Sequence, residues 1–186
     1  MLRSILGMYL GSDFYDQEFY ISRYGKPALQ DSCKDNSIHF NISNSENICV
    51  CAFGQYSEIG IDIEKIHDLP DMDQIVERFF SFDEKIAFLS LPERNRKQAF
   101  FQYWARKEAL LKSMGMGLSF PMNQVNVHSE NNCSSPVMTK NAGIERMISD
   151  LNIFDGFAAA IAFDGKHNNY STRLLYVAFN NEINKN

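Results

Sequence analysis

Long apolar runs are missing from this chain of 186 residues. Nothing in it approaches the roughly 20 consecutive apolar residues of a membrane-crossing helix, which excludes a membrane span of that kind and gives no reason to expect a membrane partner. The opening Met1–Gly11 stretch carries one arginine and a short apolar run, without the longer apolar region and cleavage site of a secretory leader. A cytoplasmic location is therefore expected. Cysteine is scarce and unpaired in spacing. Cys33, Cys49, Cys51 and Cys133 do not form a zinc-type pattern, and read as small thiols of a reducing compartment. The four histidines are scattered, with no His-Glu-x-x-His spacing. Net positive charge is also lacking. At −5 overall, the chain does not read as a nucleic-acid binder. There is no repeat and no low-complexity tail. What remains is ample core material, 45% hydrophobic and 13% aromatic, enough for one globular unit or two small subdomains.

The single tryptophan, Trp104, marks the most informative stretch, Phe100 to Leu118. At 3.6 residues per turn, Trp104, Glu108 and Lys112 stack at i, i+4 and i+8, and Lys107 lies beside them. Ala99, Ala109, Leu110 and Met114 favour a helix there, and Gly115 supplies its stop. A glutamate between lysines suits a site holding a divalent cation and a pyrophosphate together. It equally describes a surface ion pair at i, i+4.

Charge is unevenly spread. Seven acidic residues and one lysine lie from Glu58 to Glu77, and six basic residues against Glu108 alone from Arg94 to Lys112. This suits a metal site beside an anion site, or an acidic protein partner; solvated helix faces are the plainer explanation. Within the acidic part, Gly60-Ile61-Asp62-Ile63-Glu64-Lys65 reads as a strand. Its alternation puts Asp62 and Glu64 on one face and the isoleucines on the other. Two carboxylates sharing a face fit a hard cation with oxygen ligands, or simply the wet side of a half-buried strand.

The elements expected along the chain alternate. A helical remnant over 2–10 precedes a loop at 24–27. Strands are expected at Ile38–Ile42, Ile48–Phe53 and Ile59–Ile63, with a turn over Ser43–Asn47. Helices follow over 71–80 and, from a Ser81/Glu84 capping box, over about 82–91, before a break at Pro92. Strands are expected at 125–128, 156–163 and 174–179, with a loop over 129–141. The class is α+β.

With Gly60–Lys65, the Arg78-Phe79-Phe80-Ser81 run and Phe100–Leu118 in this order, the chain resembles the 4′-phosphopantetheinyl transferases of the surfactin (Sfp) type. Arg23-Tyr24-Gly25-Lys26-Pro27 and Phe40-Asn41-Ile42-Ser43-Asn44-Ser45 match upstream, so the resemblance runs from about residue 3 to 163. It implies two pseudo-symmetric subdomains, each a small antiparallel sheet with a long helix. The expected division is a reduced N-terminal half over 1–56 and a C-terminal half over 57–186 bearing the metal motifs. In two-subdomain members a further strand and helix precede the position of Arg3-Ser4; their loss would favour oligomerisation or poor stability, and a monomer or weak homo-oligomer is expected.

The resemblance further implies transfer of 4′-phosphopantetheine from coenzyme A to a serine of an apo acyl or peptidyl carrier protein, releasing adenosine 3′,5′-bisphosphate. Asp62, Glu64 and Glu108 would hold magnesium, with Glu108 also the base, acting through a water. Lys107 and Lys112 would hold phosphates, Lys112 being catalytic. Arg3 would contact phosphate, Tyr24, Gly25, Lys26 and Pro27 would line the nucleotide, and Ser43, Asn44 and Ser45 would touch the pyrophosphate. Trp104 would pack beneath the site. The carrier is expected near Ile75, Phe79, Phe80 and the 94–106 region. One departure stands out: the family has histidine where this chain has Asn44, which cannot carry positive charge. The alternative is a degenerate member that only binds coenzyme A or a carrier.

Overall fold

The structure is a computed structural model and describes residues 2–3, 6–7, 18–23, 25–29, 38–55, 57–117, 120–128, 137–141, 144–164 and 175–178. Its described part holds three antiparallel sheets, three α-helices after residue 70, a 3-10 turn at Met122–Gln124 and helical residues at 2–3 and 6–7, within the expected N-terminal helical remnant, an α+β arrangement. Strands β1 (Phe19–Ile21) and β2 (Pro27–Leu29) form a small hairpin. Strands β3 (Ile38–Ser45), β4 (Ile48–Gln55) and β9 (Leu175–Ala178) form a second sheet in the order β3-β4-β9. The third runs β5-β8-β7-β6, from β5 (Ile59–Lys65), β6 (Val137–Asn141), β7 (Ile144–Asp150) and β8 (Phe157–Phe163). Because β9 pairs with β4, the second sheet draws strands from both sides of the expected boundary at residue 56.

Three expectations are corrected here. Ser43–Ser45 is strand, not turn: β3 and β4 stay in register up to Ser45 opposite Ile48, and the reversal is confined to Glu46 and Asn47. Glu46 takes the left-handed conformation this tight turn needs (φ 53°). Residues 137–141 are likewise strand rather than loop, hydrogen-bonded to β7, which was not anticipated. The 125–128 segment joins no ladder.

Helix α1 (Met72–Phe79) leads through Phe80 into α2 (Phe82–Ser90), which starts on the anticipated capping box: Ser81 Oγ accepts from Glu84 N, and Glu84 returns the bond to Ser81 N. Helix α3 (Glu93–Met114) is longer than its sequence signature. It begins directly after Pro92 and ends at Gly115 in the left-handed conformation (φ 65°).

The strand alternation of β5 and β8 builds two cores. Ala158, Ala160 and Ala162 of β8 pack with Phe100, Phe101, Ala105, Ala109 and Leu110 of α3. Ile59, Ile61 and Ile63 of β5 point the other way, with Ala159, Ile161 and Phe163, onto Ile48, Val50 and Ala52 of β4. Asp62 and Glu64 are thereby directed to the helix side. Small residues set how close α3 lies. A Cβ on Gly60 would stand 2.0 Å from the Ala109 carbonyl oxygen and 2.4 Å from Ser113 N, so only glycine lets the strand touch the helix there.

Candidate active site

Strand β5 lies at the edge of its sheet, and side chains of β3 satisfy its outer N–H groups. Asn41 Oδ1 accepts from Ile61 N at 2.8 Å, Ser43 Oγ from Ile63 N at 3.4 Å and Ser45 Oγ from Lys65 N at 2.9 Å. Alternate residues of one strand thus dock on alternate residues of the next, closing an otherwise open edge.

Asp62 sits on this seam. Asp62 is buried, and its Oδ1 accepts from Ser43 Oγ at 2.8 Å and from Lys112 Nζ at 2.6 Å. Lys112 also reaches Ser43 Oγ at 3.0 Å and the Ile61 carbonyl at 3.2 Å. The other oxygen, Asp62 Oδ2, is buried with no hydrogen-bond partner among the described residues. Burial pushes the Asp62 carboxyl upward against the pull of Lys112 and Ser43. Burial, reinforced by the Asp62 charge, raises both Glu64 and Glu108 to about 7; Lys112 partly offsets this at each. Strand β5 and helix α3 therefore bring Asp62, Glu64, Glu108 and Lys112 into one electrostatically coupled group.

The three carboxylates have the chemistry of a hard-cation site: oxygen donors only, one orphaned buried oxygen, and mutual repulsion that a cation would relieve. Among the described residues no three His, Cys, Asp or Glu side chains are already drawn together as a cation cage. The fit is thus one of donor type and charge.

Lys107 is elsewhere. Its side chain has no solvent exposure; its ammonium meets Glu84 at 2.7 Å, also unexposed, and donates to the Met122 and Val125 carbonyls at 2.8 and 2.5 Å. Glu84 accepts in turn from Val127 N at 2.8 Å. The expected phosphate contact of Lys107 is corrected accordingly: it ties α3 to α2 and to residues 122–127. Trp104 stacks on Phe100 (5.9 Å between centroids) and meets Phe79 edge-on, which joins α1 to α3.

Of the upstream residues, Ser43 joins Asp62 directly. Lys26 bridges Glu58 and donates to the Ile59 carbonyl at 3.0 Å, while Gly25 turns the β1–β2 connection (φ 85°) and Pro27 opens β2. The Arg3 guanidinium lies over the Phe19 ring at 4.7 Å. Asn44 is exposed, and strand alternation takes it off the face that carries Ser43 and Ser45. Tyr24 is outside the described residues. Sequence reasoning assigned no role to Asn41, the Asp62–Lys112 contact or the Glu58 cluster; the first and last depend on side chains of elements far apart in the chain.

The anticipated partner surface also changes. Phe80 is buried, stacked on Phe100 (5.8 Å) and edge-on to Phe88 (5.7 Å), so it cannot meet a partner. Ile75 and Phe79 keep partial exposure. The large apolar side chains left open nearby are Phe82, Ile86 and Leu89 of α2, 77%, 56% and 58% exposed.

A strand carrying two carboxylates, closed against a helix that supplies a third with a lysine, defines the class when joined to its sequence signature. The family profile described as ACPS, the 4′-phosphopantetheinyl transferase superfamily, matches residues 58–162, and the chain belongs to that superfamily. It is similar to the 4′-phosphopantetheinyl transferase HetI of Nostoc sp., 39% identical over 64% of this chain and 50% of that one. Sfp of Bacillus subtilis is 35% identical over 68% and 54%, and gsp of Aneurinibacillus migulanus 32% over 75% and 55%. The chain spans about half the length of these curated relatives.

Proposed function

We propose that this chain transfers 4′-phosphopantetheine from coenzyme A to a serine hydroxyl of an apo acyl or peptidyl carrier protein, releasing adenosine 3′,5′-bisphosphate. The observation that carries this is the grouping of Asp62, Glu64, Glu108 and Lys112, with Asp62 Oδ2 buried and unpartnered among the described residues. Asp62, Glu64 and Glu108 would hold magnesium, whose chemistry there is neutralisation of pyrophosphate charge.

The serine oxygen bonds to the phosphorus bearing the pantetheine arm, and the bond from that phosphorus to the bridging pyrophosphate oxygen breaks. The serine proton passes to Glu108 through a water. Without a cation, burial and the Asp62 charge hold Glu108 near 7; a bound cation would lower it, which is why the proton passes through a water rather than directly. Lys112, fixed by Asp62, Ser43 and the Ile61 carbonyl, offsets charge gathering on the leaving phosphate. Gly25, Lys26 and Pro27 line the nucleotide in this reading, with Ser43 as an anchor for Lys112 beside the pyrophosphate.

The exposed position of Asn44, which carries no charge toward the site, favours a second reading in which the chain binds coenzyme A without transfer. Intact mass of an apo carrier after incubation with this protein, coenzyme A and magnesium separates the two. A phosphopantetheine-sized gain, absent with EDTA and in Glu108→Ala, is expected. No gain on several apo carriers from folded, coenzyme A-binding protein would leave the binding module in its place.

A further inference from the structure

At one end of the β3–β5 seam, Glu58 is clasped by two basic side chains. Lys26 Nζ bridges one of its carboxylate oxygens, and His39 Nδ1 lies 3.2 Å from the other. His39 shares the β3 face of Asn41 and Ser43, four residues from Ser43 and hence about 13 Å along the strand from the Asp62–Lys112 pair. We infer that Glu58 is a counterweight in the nucleotide subsite, a fixed carboxylate that lowers the affinity of the Lys26/His39 end for the anionic nucleotide of coenzyme A. This rests on the reading above that places the nucleotide against Gly25–Pro27.

Three observations decide the sign of the effect. Lys26 does not depend on Glu58 for its place, because the Ile59 carbonyl holds the same ammonium at 3.0 Å and the Lys26 side chain is only 12% exposed. Glu58 is the open member of the cluster, 45% exposed, so it lies on the side from which a ligand arrives. Its carboxyl is held down at about 2 by His39 and Lys26, which outweigh its partial burial, so it stays ionised at any working pH. An incoming phosphate must therefore share Lys26 with a permanent negative charge. Removing that charge leaves the ammonium anchored and the repulsion gone.

The test is calorimetric titration of coenzyme A, in EDTA, into wild-type protein, Glu58→Gln, Glu58→Ala, Lys26→Ala and the Lys26→Ala/Glu58→Gln double variant. Glu58→Gln keeps shape and hydrogen bonding while removing charge; we expect about three- to tenfold tighter binding, shrinking as salt rises. Glu58→Ala should match it, and the gain should fall in the Lys26→Ala background. Unchanged or weaker binding in Glu58→Gln, with Lys26→Ala still weakened, overturns the counterweight and leaves the nucleotide reading standing. Wild-type affinity in Lys26→Ala removes that reading of Lys26, and the counterweight with it. Weakening by Glu58→Ala alone would make Glu58 a support for Lys26 and overturn the proposal.

Discussion

Lys107 and Glu84 meet at 2.7 Å with no exposure of either side chain. A charge pair so placed is costly to desolvate, and the cost is offset by hydrogen bonds on every side: two carbonyls for the ammonium, and the Ser81 and Val127 N–H groups for the carboxylate. Burial draws Lys107 below the usual lysine range while Glu84 resists. Removing one partner strands the other. Lys107→Met should lower stability by about 3–5 kcal/mol in urea unfolding, and adding Glu84→Gln should recover part of the loss. A variant with wild-type stability and weakened coenzyme A binding would instead return Lys107 to the phosphate site.

Gly60 tests the packing of β5 on α3. A methyl group there would overlap the Ala109 carbonyl at 2.0 Å, and neither backbone has room to yield without parting strand from helix. Gly60→Ala should give insoluble protein, or a thermal midpoint lower by about 6–12 °C or more, from a cost of roughly 3 kcal/mol or more at about 2–4 °C per kcal/mol for a chain of this size. Gly115, whose added Cβ would meet nothing, provides the contrast. Its alanine variant bears only left-handed strain, about 1–2 kcal/mol. Equal effects of the two substitutions would mean that close approach is not what Gly60 provides.

Much of this was legible in the chain because it depends on local periodicity. The facing of Asp62 and Glu64 follows from strand alternation, α2 from its capping box, and the end of α3 from Gly115. What escaped depends on partners distant in sequence. Ser43 and Ser45 have turn composition, yet their hydroxyls are held by N–H groups of β5, so the strand runs on. Lys107 falls beside Glu108 on a helical wheel, but a step of about 100° is enough to carry it to the Glu84 side. Strand β7, Ile144–Asp150, has one buried residue among those of described burial, Ile148, and so little alternation to detect. Phe80 looks like Phe79 in sequence; the turn between α1 and α2 decides which of them is covered.

Arg94 and Arg96 look interchangeable as docking charges for an acidic carrier, and the structure separates them. Arg96 donates to the Leu89 and Leu91 carbonyls at 2.9 and 3.1 Å, holding the C-terminal end of α2. Arg94 lines an open groove of about 710 Å³ with Ile66, Lys97, Phe154 and Phe157. Arg94→Glu should raise the Michaelis constant for carrier severalfold and leave coenzyme A affinity and thermal midpoint unchanged. Arg96→Glu should lower the thermal midpoint as well. Identical carrier kinetics for Arg94→Glu and wild type would move the docking face away from this groove.

The acidic group also predicts how stability depends on pH. Glu64 and Glu108 stand near 7 in the folded chain against an ordinary 4.5, so the folded state keeps protons that the unfolded chain has released. Their contribution is fully present below about 4.5 and is lost as pH rises through about 7, on the order of 1–3 kcal/mol in all for a coupled pair. Glu58 has the opposite sign: lowered to about 2, its contribution is present above about 4.5 and vanishes as pH falls toward 2, outside this window. In EDTA, the thermal midpoint should therefore drop by several degrees between pH 5 and pH 8. The Glu64→Gln/Glu108→Gln variant should lose most of that slope, since neither group then titrates. Magnesium should restore the midpoint at pH 8 and do little at pH 5, where protons already occupy the carboxylates. A wild-type midpoint in EDTA that tracks the double variant across the whole range would mean the carboxylates are too far apart to repel, and would remove the electrostatic case for a cation among them.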